Sequence, residues 1–257
     1  MYHYLDVFGH AVSTYLLSAI TGIIFAVGLA LLRRRAARFH TSAEDIVFLL
    51  MCAVVGALFG AKAFQLIGLI VRDGRSADFW TLEHWKGLVP GVGVFYGGLI
   101  GGFLAVLIYI RKYKLDFLDV TDILVPCVLL FCTFGRIGCF LAGCCYGREA
   151  HWGIAPQHGA APLVPVQLFE AGLTFFTMAA ILIFRPERKR PGMLLPLYIL
   201  VYAAGRFIIE FFRGDMQRGV YLLSTSQWIS LLMIPAGVFL LARTSGRKNP
   251  APAKPAL

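Results

Sequence analysis

Two segments place charged residues at positions where chemistry on an anion would need them. The first reads Arg206-Phe-Ile-Ile-Glu210-Phe-Phe-Arg213, and helical spacing puts positions 206, 210 and 213 on one face. A carboxylate between two guanidiniums leaves positive charge over after pairing, and the planar arginine fork suits bidentate contact with phosphate. The second segment runs from Phe134-Gly135-Arg136-Ile-Gly138-Cys139 through Gly143-Cys144-Cys145-Tyr146-Gly147-Arg148. Four glycines flank an arginine at a helix end, where the backbone can unwind and expose its amides to an anion. Close packing of helices is the alternative use for those glycines.

The same segment holds three of the six cysteines. Cys139, Cys144 and Cys145 invite two further readings, a disulfide on an oxidising face or a metal site. The Cys139-x4-Cys144 spacing fits zinc poorly because a closed site needs four ligands, and His151 is the nearest residue to complete one. No metal and no cofactor are expected. Cys52, Cys127 and Cys132 lie inside apolar runs, where cysteine behaves as a small hydrophobe.

The elements that must carry these groups are membrane helices. The chain has 257 residues, 58% hydrophobic and 15% charged, against about a quarter charged in an average soluble domain. Its apolar residues come in runs approaching the roughly 20 residues a helix needs to cross a bilayer. Seven such runs are predicted, at 12–32, 46–71, 88–110, 120–142, 165–184, 193–212 and 227–242. The net charge of +10 does not signal a nucleic-acid partner. Its clusters are Arg33-Arg34-Arg35 with Arg38, Arg111-Lys112 with Lys114, Arg185 with Arg188-Lys189-Arg190, and Arg243 with Arg247-Lys248. Each follows an apolar run, as the positive-inside rule requires of cytoplasmic loops. The fold class is therefore an all-α integral membrane protein with seven transmembrane helices, the N-terminus outside and the C-terminus cytoplasmic. Residues 1–243 form one membrane domain, and 244–257 form a disordered tail rich in Pro, Ala and Lys. The first run has no basic region before it and no cleavage site, so it is read as a retained helix.

On this topology the misplaced charges fall in one outward layer: Lys62, Arg136, Glu170, Arg206 and Glu210, with Arg213 at a helix end. Tyr15 and Tyr96 lie at similar depth. Charges within spans are costly and mark function by default. The structural alternatives are snorkelling for Lys62 and pairing or packing for Glu170. An outer-leaflet phospholipid presents its phosphate at this depth. Gly56 with Gly60, Gly97 with Gly101, and Gly98 with Gly102 have the small-residue spacing that lets helices approach closely.

These residues, in order, resemble the motifs of the bacterial prolipoprotein diacylglyceryl transferase family. Ser13-Thr14-Tyr15-Leu resembles the tyrosine motif of its first helix, and Gly60-Ala-Lys62 its Gly-x-Arg. Phe95-Tyr96-Gly97-Gly98 resembles Phe-His-Gly-Gly, and Gly135-Arg136-Ile-Gly138-Cys139-Phe resembles Gly-Arg-x-Gly-Asn-Phe, with Gly147 on the closing glycine. Pro165-Val-Gln167-Leu-Phe-Glu170 resembles Pro-x-Gln-Leu-Tyr-Glu. The Arg206–Arg213 segment resembles the sixth-helix motif, and Ser226-Gln227 a Gly-Gln at the start of the last helix. Tyr96 stands where the family has histidine, Cys139 where it has asparagine, and Cys144 where it has a glutamate.

The resemblance implies an enzyme that moves diacylglyceryl from phosphatidylglycerol to the thiol of a lipobox cysteine in a prolipoprotein, releasing glycerol phosphate. It implies a multi-pass protein of the bacterial plasma membrane, with its active site toward the outer face. Arg136, Arg206, Tyr96 and Glu210 become the catalytic candidates. Tyr15, Lys62, Gly97, Gly98, Gly135, Gly138, Cys139, Gly147, Gln167, Glu170 and Arg213 become candidates for binding substrate and lipid. Two rival functions stand beside this one: a lipid-binding or transport protein without the chemistry, and a cysteine-based redox or metal module.

Overall fold

The computed structural model describes residues 4–7, 10–34, 42–73, 95–155, 160–185, 191–214, 219–220 and 223–245. Among them seven α-helices follow one another: α1 (Thr14–Arg34), α2 (Ala43–Asp73), α3 (Phe95–Lys112), α4 (Phe117–Leu141), α5 (Val166–Phe184), α6 (Leu194–Ile209) and α7 (Thr225–Ser245). They match the seven predicted runs in order. Helix α6 tightens at Glu210–Phe212 into a single 3-10 turn. The short strands are Tyr4–Val7, antiparallel to His10–Ser13, Gly219–Val220, antiparallel to Leu223–Ser224, and Glu149–Ile154, which bridges to Leu163.

Five helical stretches are long and apolar enough to cross a bilayer: Ala43–Gly68, Phe117–Leu141, Val166–Phe184, Leu194–Phe212 and Thr225–Thr244. Leu16–Leu32 is a shorter apolar helix. The predicted start of the third run at 88 lies outside the described residues, as does the tail beyond 245.

The chain divides into two compact units, Met1–His40 with Phe117–Leu257, and Thr41–Asp116. In the smaller unit, α2 lies against α3 through the predicted glycines. A Cβ on Gly60 would strike the Gly97 carbonyl, and one on Gly101 would strike that of Gly56. Small residues here let two backbones touch, which is how helices gain packing energy where surrounding lipid is as apolar as they are. Gly97 and Gly98 both face α2. At the other end of this pair, Ser42 Oγ caps α2 by accepting the Asp45 N–H at 3.0 Å. Tyr109 Oη donates to Asp45 Oδ1 at 3.1 Å, tying α3 to that cap.

In the larger unit, α4 is the central element. Phe25 of α1 stacks on its Phe134 at 5.5 Å. Val125 and Leu129 of α4 form a core with Met178 and Ile181 of α5 and Leu194 of α6. The outward surface is apolar instead of charged: Phe176, Ile183, Phe184 and Leu232 are each over 70% exposed. Such a surface suits lipid and would aggregate in water.

Asp122 anchors the start of α6. It is fully buried and accepts the N–H of Gly192 at 2.7 Å and of Leu194 at 3.2 Å. Gly192 holds a φ of 77°, a left-handed turn that favours glycine. Replacing Asp122 with Ala leaves both amides buried without an acceptor, so a loss of about 1–3 kcal/mol is expected. A melting-temperature shift in detergent, compared with a surface Asp116→Ala control, measures it.

Candidate functional site

The predicted charged residues of the larger unit come together around one carboxylate. Glu170, just past the first turn of α5, is 2% exposed. Three guanidiniums converge on it: Arg136 Nε at 2.5 Å from Oε2, with Arg213 Nη1 at 3.3 Å and Arg206 Nη1 at 3.4 Å from Oε1. Glu210 adds a second carboxylate, 2.5 Å from Arg206 Nη1 one helical turn earlier. Three cations against two anions leave one positive charge over. Three helix segments therefore meet at a buried ion cluster whose surplus charge suits a phosphate monoanion.

Backbone and side-chain geometry explain why these groups stay put. Thr174, one turn beyond Glu170, bridges α5 to α4 through Thr133 at 2.8 Å. Arg206 Nη2 donates to Ser226 Oγ at 3.2 Å. Ser226 is itself placed by a capping box at the start of α7: the Ser224 N–H donates to Gln227 Oε1 at 2.9 Å, and the Gln227 N–H to Ser224 Oγ at 3.2 Å. Arg213 follows the 3-10 turn, which ends the helix and lets its side chain fold back to Glu170.

Gly147 and Arg148 form a bracket between the other elements. The Gly147 N–H donates to the Val164 carbonyl at 2.8 Å and the Arg148 N–H to that of Phe212 at 3.0 Å. The Val164 N–H returns to the Arg148 carbonyl at 3.0 Å. A Cβ on Gly147 would strike the Phe212 carbonyl, so only glycine lets these backbones close. The bracket ties the entrance to α5 to the end of α6, and so holds Glu170 near Arg213.

Arg136 differs from its partners. Its side chain is 28% exposed, against 11% for Arg206 and 6% for Arg213. Among the described residues, its only ion pair runs through Nε. Of the three arginines it is therefore the one most accessible from outside the cluster.

The backbone does not unwind beside Arg136. Helix α4 continues to Leu141, and the chain leaves it at Gly143, where φ is 72°. The Ala142 N–H donates to Gly138 O at 2.8 Å and the Cys144 N–H to Cys139 O at 3.1 Å. This is a helix C-terminus, whose free groups are carbonyls. An anion here must be held by side chains, not backbone amides. A Cβ on Gly135 would meet nothing within 4 Å, so packing does not demand glycine there, whereas Gly138 is buried.

Beside Arg136 lie the cysteines. The sulfurs of Cys139, Cys144 and Cys145 are all within 4.8 Å of one another, and none is in a disulfide. His151, the sequence candidate for a fourth ligand, stands outside that group. Gln167, buried on α5, donates from Nε2 to the Cys144 carbonyl at 2.5 Å. Its Oε1 is buried without a hydrogen-bond partner among the described residues. The Cys145 thiol is brought down to about 5, first by its hydrogen bond with Cys139, then by that with Cys144 and by the charges of Arg136 and Arg213. The Cys144 thiol is raised, chiefly by burial and then by Cys145.

A pH test follows. A thiol depressed in the folded chain contributes stability above the ordinary thiol range, and that contribution is lost as pH falls through about 5. In chelator-treated protein, Cys145 should therefore alkylate with iodoacetamide at about pH 6, whereas Cys144 should react only as pH rises past the usual thiol range. Peptide mapping of the labelled sites reads the difference.

The remaining candidates divide plainly. Lys62 lies exposed on α2 in the smaller unit, 3.4 Å from Gln65 Oε1, and Gly97 and Gly98 belong to that unit too. The side chains of Tyr15 and Tyr96 lie outside the described residues, although both positions are helical. Two features were not legible in the sequence. Glu170, not Glu210, is the hub of the cluster, and Ser226 serves as an acceptor for Arg206. The sequence marked Glu170 as the single charged residue of its run and as the last residue of the Pro165–Glu170 motif, but not as the partner of three arginines.

Comparison with known proteins identifies the family of the chain. The family model described as prolipoprotein diacylglyceryl transferase matches residues 3–243. A phosphatidylglycerol–prolipoprotein diacylglyceryl transferase of Clostridium tetani is 34% identical over 95% of this chain and 98% of the relative. The second such transferase of Clostridium perfringens is 32% identical over 95% and 96%. That of Idiomarina loihiensis is 40% identical over 58% of this chain and 59% of its own length. The chain is a multi-pass membrane protein belonging to the prolipoprotein diacylglyceryl transferase family.

Proposed function

We propose that this protein transfers diacylglyceryl from phosphatidylglycerol to the thiol of a lipobox cysteine in a prolipoprotein. The carbon–oxygen bond to phosphate breaks as the carbon–sulfur bond forms, and glycerol phosphate leaves. The observation that supports this most directly is the buried cluster on Glu170, with its surplus positive charge and with Arg136 facing outward from it. Charge on the phosphate rises as the bond to carbon breaks, and preorganised cations favour that state over the bound lipid. Arg136 and Arg206 grip the phosphate. Glu170 and Glu210 orient them, and Arg213 completes the surplus charge.

The family resemblance assigns Tyr96, on the smaller unit, to the lipid headgroup or the acceptor proton, and Lys62 to the phosphate. The family resemblance assigns Tyr15, Gly97, Gly98, Gly135, Gly138, Cys139, Gly147 and Gln167 to the binding of lipid and peptide. Residues 1–243 make one seven-span domain of the bacterial plasma membrane. The N-terminus and the active site face outward, and the C-terminus with its tail faces the cytoplasm.

Purified protein in bilayers containing phosphatidylglycerol, given a lipobox peptide, should yield a product heavier by one diacylglyceryl group. No product, with a family enzyme active under the same conditions, rejects the reading. Lipid binding that depends on Arg136 and Arg206 without turnover would favour a binding protein instead.

A further inference from the structure

We propose that Cys139, Cys144 and Cys145 form a three-sulfur site for a thiophilic metal ion of the zinc class, with one coordination position left open. The sequence spacing argued against zinc because a fourth ligand was missing. The folded geometry changes the question, since an open site needs only three protein ligands.

The three sulfurs lie within 4.8 Å of one another. Bonds of ~2.3 Å to one ion place sulfurs ~3.8–4.0 Å apart, so the cluster is close to the size required. No histidine or carboxylate joins it among the described residues. An all-sulfur donor set selects soft ions over magnesium, calcium or manganese.

The turn that brings the sulfurs together is fastened at both ends. Cys139 sits in the last turn of α4. The chain then reverses at Gly143, and Cys145 holds a φ of 62°, which L-residues rarely adopt. On one side the Cys144 N–H donates to the Cys139 carbonyl, and Gln167 holds the Cys144 carbonyl. On the other side Gly147 is clamped to Val164. Cys144 and Cys145 are exposed and Cys139 is half-buried, so an ion can enter without the core opening.

The open position takes the acceptor thiol, an assignment that rests on the transferase reading given above. A thiol that coordinates such an ion is deprotonated, and the thiolate is the nucleophile. Arg136, which holds Glu170 from the same helix, acts electrostatically on this cluster, so the metal would present sulfur beside the phosphate grip. The metal-bound sulfur forms its bond to the glycerol carbon, and the electron pair of the broken carbon–oxygen bond passes to the phosphate oxygen. The proton shed on coordination ends on water or on the released phosphate. No redox partner is required.

The test uses the full chain, reduced and chelator-treated, in phosphatidylglycerol bilayers and titrated with Co²⁺ as a coloured substitute for Zn²⁺. Binding of one ion per chain with a sulfur-to-cobalt charge-transfer band is expected. Cys139→Ser, Cys144→Ser and Cys145→Ser should each weaken it by ~10-fold or more, and Cys52→Ser should leave it unchanged. Absence of the band, equal binding by a Cys144→Ser/Cys145→Ser double variant, or a disulfide among the three in the native chain overturns the site. Adding lipobox peptide, but not its Cys→Ser counterpart, should shift the visible bands. An unshifted spectrum overturns the fourth-ligand assignment alone. A chain that binds cobalt through sulfur but lipidates no peptide supports the metal site while rejecting the transferase reading, so the two failures are separable.

Discussion

Replacing Glu170 with Gln is expected to abolish transfer and to lower stability more than any other single change in the site. The carboxylate is 2% exposed and faces Arg136, Arg206 and Arg213 within 3.4 Å. Without it, three guanidiniums stand against Glu210 alone in a largely buried site. Removing one partner of a buried ion pair costs about 3–5 kcal/mol, because the charge left behind is uncompensated. On the proposed role the cluster also positions the phosphate, so activity is expected to fall together with stability. Thermal unfolding in detergent and turnover of a lipobox peptide measure the two effects. Glu210→Gln should lose less stability, because its pairing is with Arg206 alone among the described residues, and Arg206 retains Glu170 and Ser226. Equal stability losses would show that Glu170 is not the hub.

The second large effect is expected at Arg136, and it should be kinetic. Arg136→Lys keeps the positive charge but loses the planar fork that grips two phosphate oxygens at once. Arg136 is the most exposed of the three arginines, so the substitution disturbs the buried cluster least. Removing one donor that stabilises developing charge lowers kcat by ~10²–10³-fold. The expected result is a folded protein with nearly wild-type melting and with turnover reduced by that order. KM for phosphatidylglycerol should change much less than kcat, because the grip tightens as the leaving phosphate gains charge. A rise in KM with kcat unchanged would show that Arg136 binds lipid without taking part in the transition state.

How much of this was legible in the sequence follows from what kind of signal each feature leaves. Spans are long apolar runs, and burial in lipid imposes a continuous hydrophobic stretch on each helix separately. Seven helices were therefore legible, and five of them are long and apolar enough to cross a bilayer among the described residues. Charges in such runs are rare enough to stand out, so Arg136, Glu170, Arg206, Glu210 and Arg213 were visible as a set. The Gly56/Gly60 and Gly97/Gly101 spacing announced a close helix contact, because small residues one turn apart line a single face.

Partnership left no such local trace. Whether Arg206 meets Glu210, one turn away, or also Glu170, 36 positions earlier, depends on how α5 and α6 lie together, and no periodicity within either helix encodes that. The clamp of Gly147–Arg148 between Val164 and Phe212 is likewise a meeting of three distant backbones. The glycines around Arg136 left the backbone undecided for a related reason. Glycine permits unwinding without requiring it, and here the i to i−4 ladder of α4 persists to Leu141.

By itself, then, the sequence determined an all-helical membrane chain, the identity of its charged residues and the family whose motifs they match. Each of these is written in residue type and short-range spacing, where lipid and helix geometry act directly. The tertiary structure alone decided that Glu170 is the common partner of three arginines and that three sulfurs converge beside them. It also decided that the end of α4 offers carbonyls, not amides. Those outcomes depend on the direction in which α4 ends and on which side chains meet across α4, α5 and α6, and packing sets both.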